Sequence, residues 1–309
     1  MRWIEYFNGK RYFLTLLLTP FQNAPFLLSR YRLTLTGFDR FASDKPFKLN
    51  GTRAISPARK TFVIVFLLIT FAVVGISLIP PVAQDPTYHD FADRRGLLGI
   101  PNFLDITTNL AFLAVGISGI ILCTRNEKLG ARRAWMACFT GVALVSLGSS
   151  YYHLAPDNGT LVWDRLPMSI GFMALSVAVV AECVNPRLER ILLAPAILLG
   201  IASVIYWHYT DDLRPYVLVQ FLPLLMVPAM LILFGGARKD RGFLLAALVI
   251  YMVSKLAEHY DRAVFEITGE VISGHSLKHL LAALALFIVY TMLRRRALRP
   301  RPVVPGIRS

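Results

Sequence analysis

The sequence predicts an all-α integral membrane protein, a core of seven transmembrane helices preceded by one additional N-terminal transmembrane helix. Three observations carry this. Hydrophobic residues make up 55% of the 309 residues and charged residues only 17%, whereas a soluble domain of this length needs more charge to keep its surface wet. The apolar residues fall in long blocks and not at the spacing of amphipathic helices or strands. Basic residues, finally, alternate between rich and poor loops along the chain, as they do in multi-pass proteins.

The blocks can be taken in order. Residues 1–60 form a basic segment expected on the cytoplasmic side. Its apolar run Tyr12–Leu18 is too short to span and ends at Pro20; no small-residue cleavage site follows, so a signal peptide is not expected. The additional helix is expected over 62–80, within a segment 61–82. Seven further blocks follow at 103–123, 133–151, 166–184, 190–207, 216–235, 242–258 and 274–293. A bilayer core takes about 20 apolar residues to cross as a helix, and lipid forces every backbone amide to bond internally, which excludes open strands. Gly75, Gly116, Gly119, Pro195, Pro223 and Pro228 lie inside these blocks and are tolerated in membrane helices. A basic tail, 297–309, closes the chain.

The net charge of +14 reports orientation, and no nucleic-acid partner is expected. Of 33 Lys and Arg, eleven lie in residues 1–60, six lie after residue 293, and nine fall in the loops 124–133, 185–190 and 236–241. The loops 81–102, 152–165, 208–215 and 259–273 hold only Arg94, Arg95, Arg165, Arg214 and Arg262. By the positive-inside rule both termini are cytoplasmic, and the basic tails touch anionic membrane lipids. Cys123, Cys138 and Cys183 form no CxxC pair and read as small apolar fillers.

Given that topology, His89, His153, His208, His259, His275 and His279 all fall at the outer face. Ionisable groups at membrane depth are costly, which makes their clustering a sign of function. The plainer reading, that outer loops need polar residues, covers loop acids but not groups set within helix ends. In Gly274-His275-Ser276-Leu277-Lys278-His279 two histidines at i and i+4 share one helical face, a spacing from which both imidazoles reach one metal ion. Alone this pair is a modest signal.

A second cluster sits at the end of the third expected helix, in Gly148-Ser149-Ser150-Tyr151-Tyr152-His153, with Ser149 and His153 again at i and i+4. Asp164 follows in Trp163-Asp164-Arg165-Leu166-Pro167-Met168, where the next helix is expected to begin. Each residue has a bland alternative. Ser149 reads also as a small packing residue and His153 as an interfacial aromatic, while Asp164 could cap a helix opening near Pro167 or pair with Arg165. Together they fit one mechanism. His153, His275 and His279 leave an open fourth position on zinc, the pattern of a catalytic site, where bound water reaches a pKa of about 7. Asp164 would take the water proton and return it to the leaving amine, and Ser149 would donate to the oxyanion.

Ser-x3-His, Trp-Asp-x-Leu-Pro-Met and His-x3-His as they stand here resemble the alkaline ceramidase family, within the CREST superfamily of membrane hydrolases and receptors. The resemblance takes in Gly99-Ile100-Pro101-Asn102-Phe103, Thr108-Asn109 and Leu213-Arg214-Pro215-Tyr216, and covers roughly residues 85–295. It implies a seven-helix hydrolase domain over 83–296, with zinc on His153, His275 and His279 and with Ser149 and Asp164 catalytic. The implied reaction is hydrolysis of the amide of ceramide-like sphingolipids to a long-chain base and a fatty acid, with another N-acyl lipid as the alternative substrate. Family members carry an acidic calcium site. Here the matching stretch is Asp90-Phe91-Ala92-Asp93-Arg94-Arg95, then Asn102 and Asp105. Two arginines beside the acids oppose a divalent cation, so Ca2+ is doubtful, and Asp90 and Asp93 may be expected to pair with Arg94 and Arg95 as a structural lid. Two rival readings stand beside the hydrolase: a heptahelical receptor or stress-response protein of the same superfamily with a structural zinc, and a metal transporter, which would need ligands at mid-membrane depth. Nothing in the sequence speaks to oligomeric state.

Overall fold

A computed structural model describes residues 66–67, 70–233 and 240–298, all within one compact unit, Ala54–Ser309. Of the additional helix expected over 62–80, residues 66–67 and 70–77 are helical, while 62–65 and 68–69 lie outside the described residues, as do residues 1–60 and 299–309 of the basic tails. The helices that follow are α1 (Phe103–Thr107), α2 (Leu110–Arg125), α3 (Arg132–Leu154), α4 (Asn158–Cys183), α5 (Arg187–Thr210), α6 (Arg214–Leu233), α7 (Arg241–His259), α8 (Asp261–Ile267) and α9 (Gly274–Leu298). Seven spans are long and apolar enough to cross a membrane, α1 and α2 together forming the first. No strand occurs among the described residues beyond one isolated bridge, Leu97 to Ile100. The protein is a multi-pass integral membrane protein built on seven helices.

The spans close into a ring in which α2 packs on α3, α3 on α4, α4 on α6, α6 on α7, α7 on α9 and α9 back on α2. Helix α5 lies against α4 and α6. Apolar residues that face outward, such as Leu198, Leu199, Ile232 and Val249, are what a lipid-facing surface requires. The three cysteines are free, and Cys123 and Cys138 are fully buried in the ring, in keeping with their reading as fillers.

Helix α4 starts earlier than expected. Its N-cap is Asp157, whose carboxylate accepts from the Thr160 amide in a reciprocal capping box, and the helix runs on through Pro167. Asp164 and Arg165 are therefore interior residues. The cap is supplied seven residues upstream of Asp164, because Asp157 and Thr160 satisfy the orphan amides there. Pro167 has no N–H, which leaves the Trp163 carbonyl without its helical partner. Gly148 of α3 sits on that carbonyl so closely that a methyl at 148 would lie 2.0 Å from the oxygen. Seven residues earlier Gly141 meets Gly171 of α4 in the same way, at 2.7 Å from its amide nitrogen. Glycine at these two positions brings the α3 and α4 backbones together.

At the end of the bundle away from the histidines, Arg296 of α9 bonds Glu182 at 2.8 Å and Asp240 at 2.9 Å. The Trp135 indole adds a bond to Glu182 at 2.7 Å, so this end is locked by charge-assisted bonds spanning α3, α4 and α9.

Candidate metal and catalytic site

His153, at the last turn of α3, and His275 and His279, in the first two turns of α9, come together and are all buried. One ligand atom from each lies within 4.8 Å of the others. Local sequence explains the convergence. A methyl on Gly274 would fall 2.1 Å from the Ala257 carbonyl oxygen, so only glycine lets the start of α9 press onto the end of α7. Asp261 then receives the His275 amide on Oδ1 at 2.7 Å, satisfying one of the unpaired amides at the start of the helix. On the other side of the ring, Asn102 adopts the left-handed backbone (φ 46) that asparagine tolerates. From there its Nδ2 donates to the His153 carbonyl at 2.8 Å. The residues Gly99 to Phe103, noted in the sequence, thus anchor the third ligand.

Ring orientation favours metal binding. Thr108 donates its hydroxyl to the Leu104 carbonyl at 2.7 Å and faces His279 Nδ1 at 3.0 Å. With its own proton committed, Thr108 accepts from Nδ1–H, and the lone pair of His279 is left on Nε2. His153 Nε2 and His275 Nε2 stand 3.3 Å apart. Zinc–nitrogen bonds of 2.0–2.1 Å at tetrahedral angles put neighbouring nitrogens roughly 3.3–3.4 Å apart. The His153–His275 pair has the spacing of two imidazoles on one zinc ion, and His279 offers its ligand atom within 4.8 Å of both.

Ser149 is fully buried one turn before His153, and Asp164 is buried on the facing turn of α4. The Ser149 side chain faces the Asp164 carboxylate across the contact between α3 and α4, where Gly148 approaches Trp163 and Asp164. The capping, ion-pair and interfacial readings do not describe Asp164 and His153. Asp164 neither caps its helix nor forms an ion pair with Arg165, and His153 has no exposure to an interface. Of the other histidines, His208 and His259 are exposed. His89 bonds the Tyr152 hydroxyl at 2.8 Å and Asn158 at 3.0 Å.

Several groups around the triad escaped sequence reading. Lys278 reaches Glu258 of α7 at 2.9 Å and His275 Nε2 at 3.2 Å, and Glu258 also bonds Lys255. The spacing of Lys255, Glu258 and Asp261 at the end of an otherwise apolar helix was the available signal. Ser276 donates to Asp105 at 2.5 Å. Phe91, from the segment before α1, covers the triad with its ring 4.8 Å from that of His153 and 4.5 Å from that of His275. That segment is tied down by its acids. Asp93 takes a bidentate grip from Arg95 at 2.7 and 2.8 Å, and the bond from the Arg95 side chain holds the Asp93 carboxyl below its usual range. Asp90 pairs with Arg94 and Arg262. Both acids are thus engaged by arginines, the pairing expected of a structural cover.

A family model described as Ceramidase matches residues 99–299, which takes in the triad, Ser149 and Asp164. No curated protein matches the chain.

Proposed function

The chain belongs to the ceramidase family, and from that premise we propose that it is a zinc-dependent amidohydrolase cleaving the amide of ceramide-like N-acyl lipids to a long-chain base and a fatty acid. The observation that carries this reading is the set of three buried histidines, with ligand atoms within 4.8 Å of one another, one turn from Ser149 and its contact with Asp164. His153, His275 and His279 would hold the metal. Zinc in such a site supplies Lewis acidity and lowers the pKa of water to about 7.

The protein's own groups perform the rest. Asp164 accepts the proton of the attacking water and returns it to the departing amine nitrogen. Ser149, which faces Asp164, directs its hydroxyl proton to the oxyanion that develops on the former carbonyl oxygen. Phe91 above the triad and the apolar ring around it exclude bulk water, which strengthens both interactions. The basic loops argue for cytoplasmic termini and a site toward the extracytoplasmic face, so the amide would enter from headgroup depth of the outer leaflet. A periplasm-dependent phosphatase fused after Ser309 should be silent.

The test is hydrolysis of fluorescent ceramide and phytoceramide by purified protein in detergent, with zinc measured in the same samples. Wild type should turn over. His279→Ala should lose both zinc and turnover, and Asp164→Ala should keep zinc and lose roughly 10²–10⁴-fold in rate. One zinc per chain with no turnover of any N-acyl lipid would replace the hydrolase with the receptor reading, and absence of zinc would remove the mechanism.

A further inference from the structure

One residue beyond Asp164, the side chain of Arg165 is buried, 5% exposed. Among the described residues no carboxylate lies within ion-pair distance of its guanidinium. A buried cation at the end of a membrane span ordinarily has a counter-charge, because desolvation without one is severe. Arg165 has three rings: Trp207 of α5 at 4.0 Å, Tyr216 of α6 at 4.8 Å and Tyr88 at 5.6 Å from its central carbon. Ring faces attract the guanidinium plane but leave its in-plane N–H groups unbonded. Nη2 donates to Gln84 Oε1 at 2.6 Å. Nη1 has no partner, and neither has the indole nitrogen of Trp207, the ring stacked closest to it. Two buried donors, one charged, therefore lack an acceptor in the same cage.

Two further features relate the cage to the reaction. Trp207 and Tyr216 belong to the same apolar cluster as Phe91 and Tyr152, the rings that pack on His153, so one aromatic wall runs from the triad to Arg165. Tyr88 is 37% exposed, against 1% for Trp207 and 3% for Tyr216, which makes it the outward side of the cage.

We propose that the Arg165 cage is a subsite for an oxyanion carried on the headgroup side of the lipid amide (a carboxylate, sulfonate or phosphate ester), received by Arg165 Nη1 and the Trp207 indole N–H. A planar guanidinium prefers such groups over a neutral hydroxyl. The subsite rests on the amidohydrolase reading for its role in substrate choice, but its binding chemistry is testable apart from turnover.

The experiment compares ceramide with its phosphate ester at equal acyl chain, using zinc-loaded wild type, Arg165→Gln, Arg165→Lys and Trp207→Phe. Wild type should favour the ester in kcat/KM. That preference ratio should fall at least tenfold in Arg165→Gln, with Arg165→Lys and Trp207→Phe between the two. A ratio unchanged within twofold in Arg165→Gln overturns the proposal and leaves Arg165 a packing residue. Binding of dodecyl phosphate and of inorganic phosphate to the same proteins is followed in parallel by tryptophan fluorescence. Saturable binding of dodecyl phosphate that Arg165→Gln abolishes supports the subsite even if no substrate is hydrolysed, an outcome that would fall on the hydrolase reading alone. Equal binding of inorganic phosphate would overturn the assignment to a lipid headgroup, and no binding of either would overturn the subsite.

Discussion

Substituting Gly148 by Ala tests whether the contact between α3 and α4 sets the catalytic geometry. The new methyl would sit 2.0 Å from the Trp163 carbonyl oxygen and 3.3 Å from the Asp164 amide nitrogen, where ordinary contact begins at 3.4 Å. The oxygen is backbone and cannot swing aside, so the helices must part by about 1.4 Å, the difference between those two contact distances. Overpacking of this kind costs about 1–3 kcal/mol of stability. The larger effect should fall on chemistry. Ser149 follows Gly148 directly and Asp164 follows Trp163, so the displacement acts on the Ser149–Asp164 contact itself. A misplacement of about 1 Å between reacting groups can lower a rate by about 100-fold, equivalent to about 2.7 kcal/mol of barrier. The assay is kcat on fluorescent ceramide, with thermal unfolding and zinc content read in the same preparations. Gly242→Ala serves as the control, since a methyl there meets nothing within 4 Å. If Gly148→Ala retains kcat within twofold of Gly242→Ala, the apposition of these backbones does not set the geometry and the argument fails.

Thr108→Val removes the acceptor that faces His279 Nδ1 at 3.0 Å and should weaken zinc binding by about 10–100-fold, measured by competition with a chelator. Asp212 lies in the turn between α5 and α6, where bonds from the Arg214 side chain at 2.7–3.0 Å hold its carboxyl below the usual carboxylate range. A carboxyl with a lowered folded pKa stabilises the protein above its unfolded pKa and ceases to do so as pH falls through the folded one. Thermal stability should therefore drop as the pH is taken from about 5 down past 3.8, and Asp212→Asn should flatten part of that drop.

The spans were legible because lipid leaves a chain of this composition one option, and each of the seven core blocks became a helix. The start of α4 was misplaced for a local reason. Pro167 looked like a first-turn proline, yet here it stands inside the helix, its freed Trp163 carbonyl covered by Gly148. The spacing of His275 and His279 was a modest signal by itself, strengthened by the Ser149 and His153 pair at i and i+4, and the structure brings the three histidines together. The groups that orient them were not. Asn102 reaches His153 across 51 residues and Thr108 reaches His279 across 171, and no local pattern encodes such pairs. Lys278 and Glu258 were visible as charges in apolar helices, but their bond joins α7 to α9 and needed the closed ring to appear. The unpaired state of Arg165 depends on Gln84, Trp207 and Tyr216 from three other segments, so nothing near it in the chain announced it.

Asp261 holds two things at once: Oδ1 takes the His275 amide at 2.7 Å and Oδ2 takes the Ala92 amide at 2.8 Å. Ala92 follows Phe91, the ring above the triad. The segment that carries the ring over the histidines and the helix that carries two of those histidines therefore hang from a single carboxylate. On the hydrolase reading, a change at Asp261 should therefore move Michaelis constant and zinc affinity together instead of either alone.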